Sequence, residues 1–441
     1  MEEFLKVLPL ILILLMLLPP FRAHILVAGL VGGAAAVIIG GLDLATVTEL
    51  FLKGVTQILG ITSVLMFAAT AMVLAKAGST RAILELIQRR FGDRLELVAG
   101  AMTLVQALAT YVAGIGAANT LVTAPLVATV VGFVPQLVAG MSIVSGASWA
   151  TSPASAESAY ISQQMQLSPV DYAAFMRPYT IAFWLIGVVL AWWGVRRRRL
   201  AGTIEPLLPS AAPAEAVPAG LKAAVAEAQA EPPEVVGGPW RRSSPFFVLL
   251  AIILLGPFVN RLVGKPIFSP ALTPLWVLAV AAVALKLSPN RIGEMFIDGG
   301  LTILRYLFLV GLFLGFINLL AEIGTFSTIA GFVGLAPLRI VTAVALVAAF
   351  LIAIPSAAYT VAIDALVIPV LAAVGVPVWA FGFVGIAVAQ GAMISPVQIN
   401  VAATAHGFQT EIVRVIRNNL PYMPAALVVT IVLAAIVTAI R

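Results

Sequence analysis

The chain has 441 residues, of which 61% are hydrophobic and 10% charged, and its mean hydropathy is +1.09. A soluble domain carries about 25% charged residues, so this is an integral membrane protein that crosses the bilayer many times. With no cysteine and only two histidines, His24 and His406, disulfides, thiolate metal sites and cysteine nucleophiles are excluded and no metal motif can be assembled. The net charge of +6 comes from basic residues in short loops, where it sets orientation in the membrane, and does not indicate a nucleic-acid partner.

In chain order, the first apolar block, residues 4–19, is expected to be a spanning helix. Its acidic start, its Pro19-Pro20 end and the missing small-residue cleavage pattern argue against a cleaved leader. Further blocks lie at 24–42 and 54–75, each close to the roughly 20 residues that a spanning helix needs. Residues 79–94, "STRAILELIQRRFGDR", are amphipathic and basic and read as an arm in the membrane interface. Residues 95–134 form a helix, a break and a second helix, residues 138–165 a broken crossing, and 178–195 a last helix. A polar Pro/Ala/Glu-rich stretch, residues 196–243, reads as a cytoplasmic linker. The second half repeats the pattern, with a hairpin over 338–375 and a broken helix over 378–405.

The halves match in order at a near-constant offset. Glu49 in "ELFLKG" pairs with Glu294 in "EMFIDG" (294 − 49 = 245), and Gly78 pairs with Gly324. Pro125, Pro135, Pro153 and Pro178 pair with Pro369, Pro377, Pro396 and Pro421. The first half makes an odd number of net crossings, so the second lies inverted in the membrane. With the amino terminus outside, Arg22, Arg81, Arg89, Arg90, Arg94, Arg196 to Arg199, Arg241, Arg242, Lys286, Arg291, Arg414 and Arg417 fall inside, and Lys53, Arg177, Arg261, Lys265 and Arg339 outside. The excess inside is what orientation by charge requires. The expected fold is an all-α polytopic membrane protein of two inverted repeats, residues 1–195 and 244–441, with about ten spanning helices, two of them discontinuous, and two re-entrant helical hairpins.

Irregular backbone at membrane depth is tolerated only where it faces protein or a water-filled cavity. Four such breaks are expected, two per half: "AGIGAANTLVTAP", "SGASWATSPASAES", "AIPSAAYTVAIDALVIP" and "AQGAMISPVQINVAATAHG". Proline deletes a backbone donor and clashes with a carbonyl one turn back. The half-helices so formed can point amino termini at an anion and free carbonyls and hydroxyls at sodium. In both hairpins a polar residue stands five before a proline, Thr120 before Pro125 and Asp364 before Pro369.

The order of these elements resembles the ion transporter superfamily, which includes divalent anion/sodium symporters, citrate and gluconate permeases, the large membrane subunit of tripartite carboxylate transporters, and sodium/proton antiporter and arsenite-pump relatives. "ANT" at Ala118 to Thr120 approximates the Ser-Asn-Thr tip of divalent anion symporters, while "PSAAYT" keeps Ser356 and Thr360 without that tip and adds Asp364. The resemblance implies hairpin tips and broken helices meeting at one substrate site flanked by cation sites, and a homodimer with an elevator mechanism.

Candidate ligands of substrate or cation are therefore Asn119, Thr120, Ser152, Ser155, Ser356, Thr360, Ser395, Gln398 and Asn400. Asp364 and Glu157 are candidates for coupling to a proton or cation, since an acid at membrane depth is costly and commonly functional. The expected function is secondary active transport of a small organic anion, a di- or tricarboxylate or hydroxy acid, coupled to sodium or protons across the inner (plasma) membrane. The alternative is a sodium/proton antiporter of the same fold. No cofactor is expected beyond possible sodium ions. Enzymatic chemistry is not expected, as there is neither a Gly-x-Ser-x-Gly elbow nor a His-Glu-x-x-His pair.

Overall fold

A computed structural model describes residues 2–17, 21, 23–59, 62–92, 94–114, 116–202, 237–265, 267–269, 272–333, 337–356 and 360–440. The fold is that of an all-helical polytopic membrane protein. The first half contains α1 (Glu2–Leu17), α2 (Ile25–Gly40), α3 (Leu44–Leu59), α4 (Thr62–Lys76), α5 (Ser79–Phe91), α6 (Leu95–Ala113), α7 (Gly116–Val131), α8 (Pro135–Thr151), α9 (Ala156–Gln164) and α10 (Pro169–Leu200). The second contains α11 (Pro239–Val263), α12 (Leu272–Leu285), α13 (Pro289–Glu322), α14 (Thr325–Val333), α15 (Leu338–Ser356), α16 (Thr360–Val374), α17 (Phe381–Ala392, entered through a 3₁₀ turn at Val378–Ala380), α18 (Ile399–Gly407), α19 (Ile412–Asn419) and α20 (Tyr422–Ile440).

Among the described residues, α6 and α10 are long and apolar enough to cross a bilayer alone. Other apolar helices, α1, α2, α12 and α16 among them, are 16 residues long or shorter. Most of the polar stretch 196–243, residues 203–236, lies outside the described residues. Its two ends are helical, because α10 continues through Arg196 to Leu200 and α11 begins at Pro239.

Packing follows the small residues. Lipid gives helices little hydrophobic reason to associate, so close backbone approach and hydrogen bonds hold them together. Gly32 of α2 lies against Ile13 of α1, and Gly29 and Gly33 lie against Phe316 of α13. One close crossing joins α8 and α10: a Cβ on Gly140 would stand 2.4 Å from the Gly187 carbonyl oxygen. Beside it, Trp184 Nε1 donates to Ser148 Oγ at 2.7 Å, and Thr180 Oγ1 donates to Thr151 Oγ1 at 2.8 Å.

The chain is punctuated by left-handed residues that recur at the offset seen in the sequence. Gly41 (φ 59°) and Lys286 (φ 54°), Gly78 (φ 76°) and Gly324 (φ 78°), Gly132 (φ 76°) and Gly375 (φ 84°), and Gln166 (φ 56°) and Gln409 (φ 48°) form four such pairs. The last is the most telling, because a non-glycine residue at positive φ is uncommon, and two glutamines adopt it 243 positions apart (409 − 166). Caps recur too: Asp43 Oδ1 accepts from Thr46 N at 2.8 Å and Ser288 Oγ from Arg291 N at 3.3 Å.

Contacts between distant segments join residues that the charge bias assigns to one side. Arg199 pairs with Glu96 at 2.7 Å, Arg242 with Glu85 at 2.7 Å, and Arg414 stacks on Phe133 at 4.5 Å. These contacts are half exposed, so each is worth no more than about 1 kcal/mol.

Gly140→Val is expected to lower stability by at least about 2 kcal/mol, since the new side chain must push a backbone aside. Gly293→Ala is the contrast, because nothing lies within 4 Å of its Cβ position on α13, and is expected to be neutral or slightly stabilising. Thermal unfolding in detergent micelles compares the two; an equal loss in both would contradict the packing described.

Candidate functional site

Both Ser-Pro breaks are built alike. In the first, Ser152 Oγ donates to the Tyr111 carbonyl at 2.6 Å and accepts from Ala154 N at 3.0 Å, bridging the donor that Pro153 lacks. Ser155 then caps α9, its Oγ accepting from Ser158 N at 3.1 Å. In the second, Ser395 Oγ accepts from Val397 N and Gln398 Oε1 from Asn400 N, each at 3.3 Å. Four of the candidate side chains thus satisfy the broken backbone itself, as the cost of an unpaired peptide group in a membrane demands.

The hairpins and breaks meet crosswise. Helix α7 of the first hairpin packs on α18 of the second broken helix, and α16 of the second hairpin packs on α9 of the first. The first hairpin tip also touches both breaks. Gly114 (φ 69°) sits so close to the Ala154 carbonyl that a Cβ would be 2.4 Å from it, and a Cβ on Gly116 would be 2.7 Å from Ser145 Oγ and 3.3 Å from Asn400 Nδ2. Four helix amino termini, those of α7, α9, α16 and α18, therefore lie at the crossings.

The α7/α18 crossing holds a neutral, closed hydrogen-bond network. Thr120 Oγ1 donates to Asn400 Oδ1 at 2.6 Å, and Asn400 Nδ2 donates to Ser145 Oγ at 3.0 Å and lies 3.4 Å from Met393 Sδ. Gln106 Nε2 is within donating distance of Thr120, Thr110 and Ser145 at 2.7, 3.2 and 3.3 Å, while Gln106 Oε1 accepts from Thr123 at 2.5 Å. Asn119 is buried beside them, its carbonyl accepting from Thr123 Oγ1 at 3.0 Å.

The α16/α9 crossing is acidic. Thr360 Oγ1 donates to Glu157 Oε1 at 2.5 Å. One turn on from Thr360, Asp364 is fully buried, and neither of its carboxylate oxygens has a hydrogen-bond partner among the described residues. Glu157 is 7% exposed and interacts electrostatically with Asp364. Tyr172 closes the cluster, its hydroxyl donating to the Ala150 carbonyl at 3.0 Å.

The structure thus brings Thr120 to Asn400, and Glu157 to Thr360 and Asp364, and places Ser152, Ser155, Ser395 and Gln398 in the breaks. The side chain of Ser356 lies outside the described residues. Gln106, Thr123 and Ser145 join the first network without having been singled out from the sequence. The available signal was an amide, Gln106, inside an otherwise apolar helix. A groove of about 530 Å³ between α10 and α20, lined by Ile143, Leu185, Trp193, Tyr422 and Val429 among others, is almost wholly apolar and separate from these crossings.

No family model matches the sequence, and no curated protein matches it significantly. Among solved structures the fold is similar to that of the Alcanivorax borkumensis YdaH transporter, with a TM-score of 0.56 and 15% sequence identity over 90% of this chain and 89% of that one. The chain has a membrane-transporter fold.

Gln106→Ala leaves the Thr123 hydroxyl only the Asn119 carbonyl to donate to and takes the amide donor from its neighbours, and is expected to cost about 1 to 3 kcal/mol. Ser152→Ala, which loses one donor and one acceptor at a break, is expected to cost about 1 to 3 kcal/mol. Urea or thermal unfolding in micelles measures both; a neutral Gln106→Ala would mean that the network is not closed.

Proposed function

On a transporter fold with its broken helices crossed in pairs, we propose that the chain is a secondary active transporter of a small organic anion, a di- or tricarboxylate or hydroxy acid. It belongs, in this reading, to the ion transporter superfamily and is built of two inverted repeats, residues 1–195 and 244–441. The observation that carries the reading is the meeting of four half-helix amino termini at the two crossings. Such termini offer partial positive charge and free N–H groups to an anion without a fixed cation in the membrane. A cation bound at the acidic crossing then neutralises charge, so the loaded site traverses an apolar barrier more readily than the half-loaded one. Sodium or a proton serves that purpose. An elevator-type movement in a homodimer of the inner membrane completes the proposal.

A second reading is a sodium/proton antiporter of the same fold, which the buried Glu157 and Asp364 favour. Reconstituted vesicles separate the two. The proposal expects radiolabelled organic acid to accumulate under an imposed sodium or proton gradient, and accumulation to fall at least tenfold in Asn400→Ala and Asp364→Asn. No uptake of any di- or tricarboxylate or hydroxy acid, together with sodium-driven quenching of an internal pH dye, would replace the first reading by the second.

A further inference from the structure

The two crossings are counterparts. The offset that relates Pro125 to Pro369 carries Thr120 onto Asp364, and the one that relates Pro153 to Pro396 carries Glu157 onto Asn400. The hydrogen-bonded pair Thr120–Asn400 at one crossing thus corresponds to the pair Asp364–Glu157 at the other. Both pairs join a hairpin of one half to a broken helix of the opposite half, and both are buried. They differ in chemistry: the first is neutral with its hydrogen bonds made, the second has two carboxyl groups and an unpartnered Asp364.

Resting on the reading of these crossings as the transport site, we propose that Glu157 and Asp364 hold one proton between them and form the ion-coupling site among the described residues, while Thr120–Asn400 is a neutral lock that binds no ion. The proton resides on Asp364. An ionised carboxylate fully buried without a hydrogen bond or counter-charge is untenable, so the group is neutral. Glu157 instead has a hydrogen-bond donor, the Thr360 hydroxyl, on its carboxylate. It also lies in the first turn of α9, where the helix dipole favours the anion.

Among the described residues no positive charge acts on either acid, and Arg177 of α10, which packs on α9, donates instead to the Leu254 and Ile253 carbonyls. The titratable groups acting on Asp364 are Glu157 and Tyr160 from α9 and Tyr172 from α10. Helices α14 and α17 contain no titratable residue, α15 contains Arg339 only, at the end remote from the tip, and α13 packs on α16 beside a small apolar cavity lined by Leu309, Val310, Phe313, Val361 and Ala362. Glu157 is bonded to Thr360, one turn from Asp364 on a helix that packs against α9, and two like charges in one such buried crossing do not ionise together, so the pair takes up and releases a single proton. Loss of that proton leaves two adjacent anions across the interface between the halves and pushes α16 from α9, whereas the α7/α18 crossing has no charge to change. Coupling is then one proton per cycle, acting on the second hairpin alone.

Infrared difference spectra of the full-length protein in lipid, recorded across pH steps with no substrate present, test this. The wild type is expected to show a protonated-carboxyl stretching band at neutral pH, lost in alkaline buffer with an amplitude of one group. Asp364→Asn removes the band, Glu157→Gln keeps it but shifts the pH midpoint of its loss by at least about one unit, and Thr120→Ser leaves both unchanged. Exchange of potassium chloride for sodium chloride at fixed pH has no effect. A band that persists at full amplitude in Asp364→Asn, that is missing from the wild type, or that disappears on adding sodium overturns the proposal. Because the band needs neither an anion nor a gradient, its presence without organic acid uptake would remove the anion-transport reading and leave the shared proton standing.

Discussion

Every peptide group within the hydrocarbon layer must find its hydrogen-bond partner inside the protein, and this chain interrupts its helices there repeatedly. The rest of the architecture answers that one constraint. Ser152 and Ser395 supply acceptors just past the prolines that break α8 from α9 and α17 from α18. Ser155 and Gln398 cap the helices that follow. The exposed ends are then covered by the hairpins, and glycine is required where the coverage is closest: Gly114 touches the Ala154 carbonyl of its own half, and Gly116 abuts Ser145 and, across the halves, Asn400.

The same coverage produces the site. Once α7 lies on α18 and α16 on α9, the side chains that face across are Thr120 with Asn400 and Thr360 and Asp364 with Glu157. The offset between the halves makes these corresponding places, one neutral with its hydrogen bonds made and one acidic with an unpartnered carboxyl group.

Much of this was legible in the sequence. The Ser-Pro pairs, the glycine-rich tips and the offset between halves located the helix interruptions and singled out Asp364, because proline chemistry and the cost of charge in lipid act locally. The crosswise pairing was not legible, since nothing in "GIGAANTLVTAP" specifies whether its partner is the break at Pro153 or at Pro396. For that reason Ser152, Ser155, Ser395 and Gln398 read as ligands, while the structure engages them in repairing the backbone. Gln106 went unremarked although it lies within reach of three hydroxyls and accepts from a fourth, because an isolated amide shows its role only when the facing helices are in place.

Crosswise pairing also bears on how the chain comes to be assembled. Neither half contains a complete crossing: Thr120 waits for Asn400, and Glu157 waits for Thr360, residues made some 200 or more positions later. Domains generally fold as their residues emerge from the ribosome, but here the first hairpin enters the membrane with its polar tip still lacking its partner. Closure of both crossings therefore comes after Thr360 and Asn400 have been made, while contacts such as Thr120 with Gln106 are available within the first half from the start.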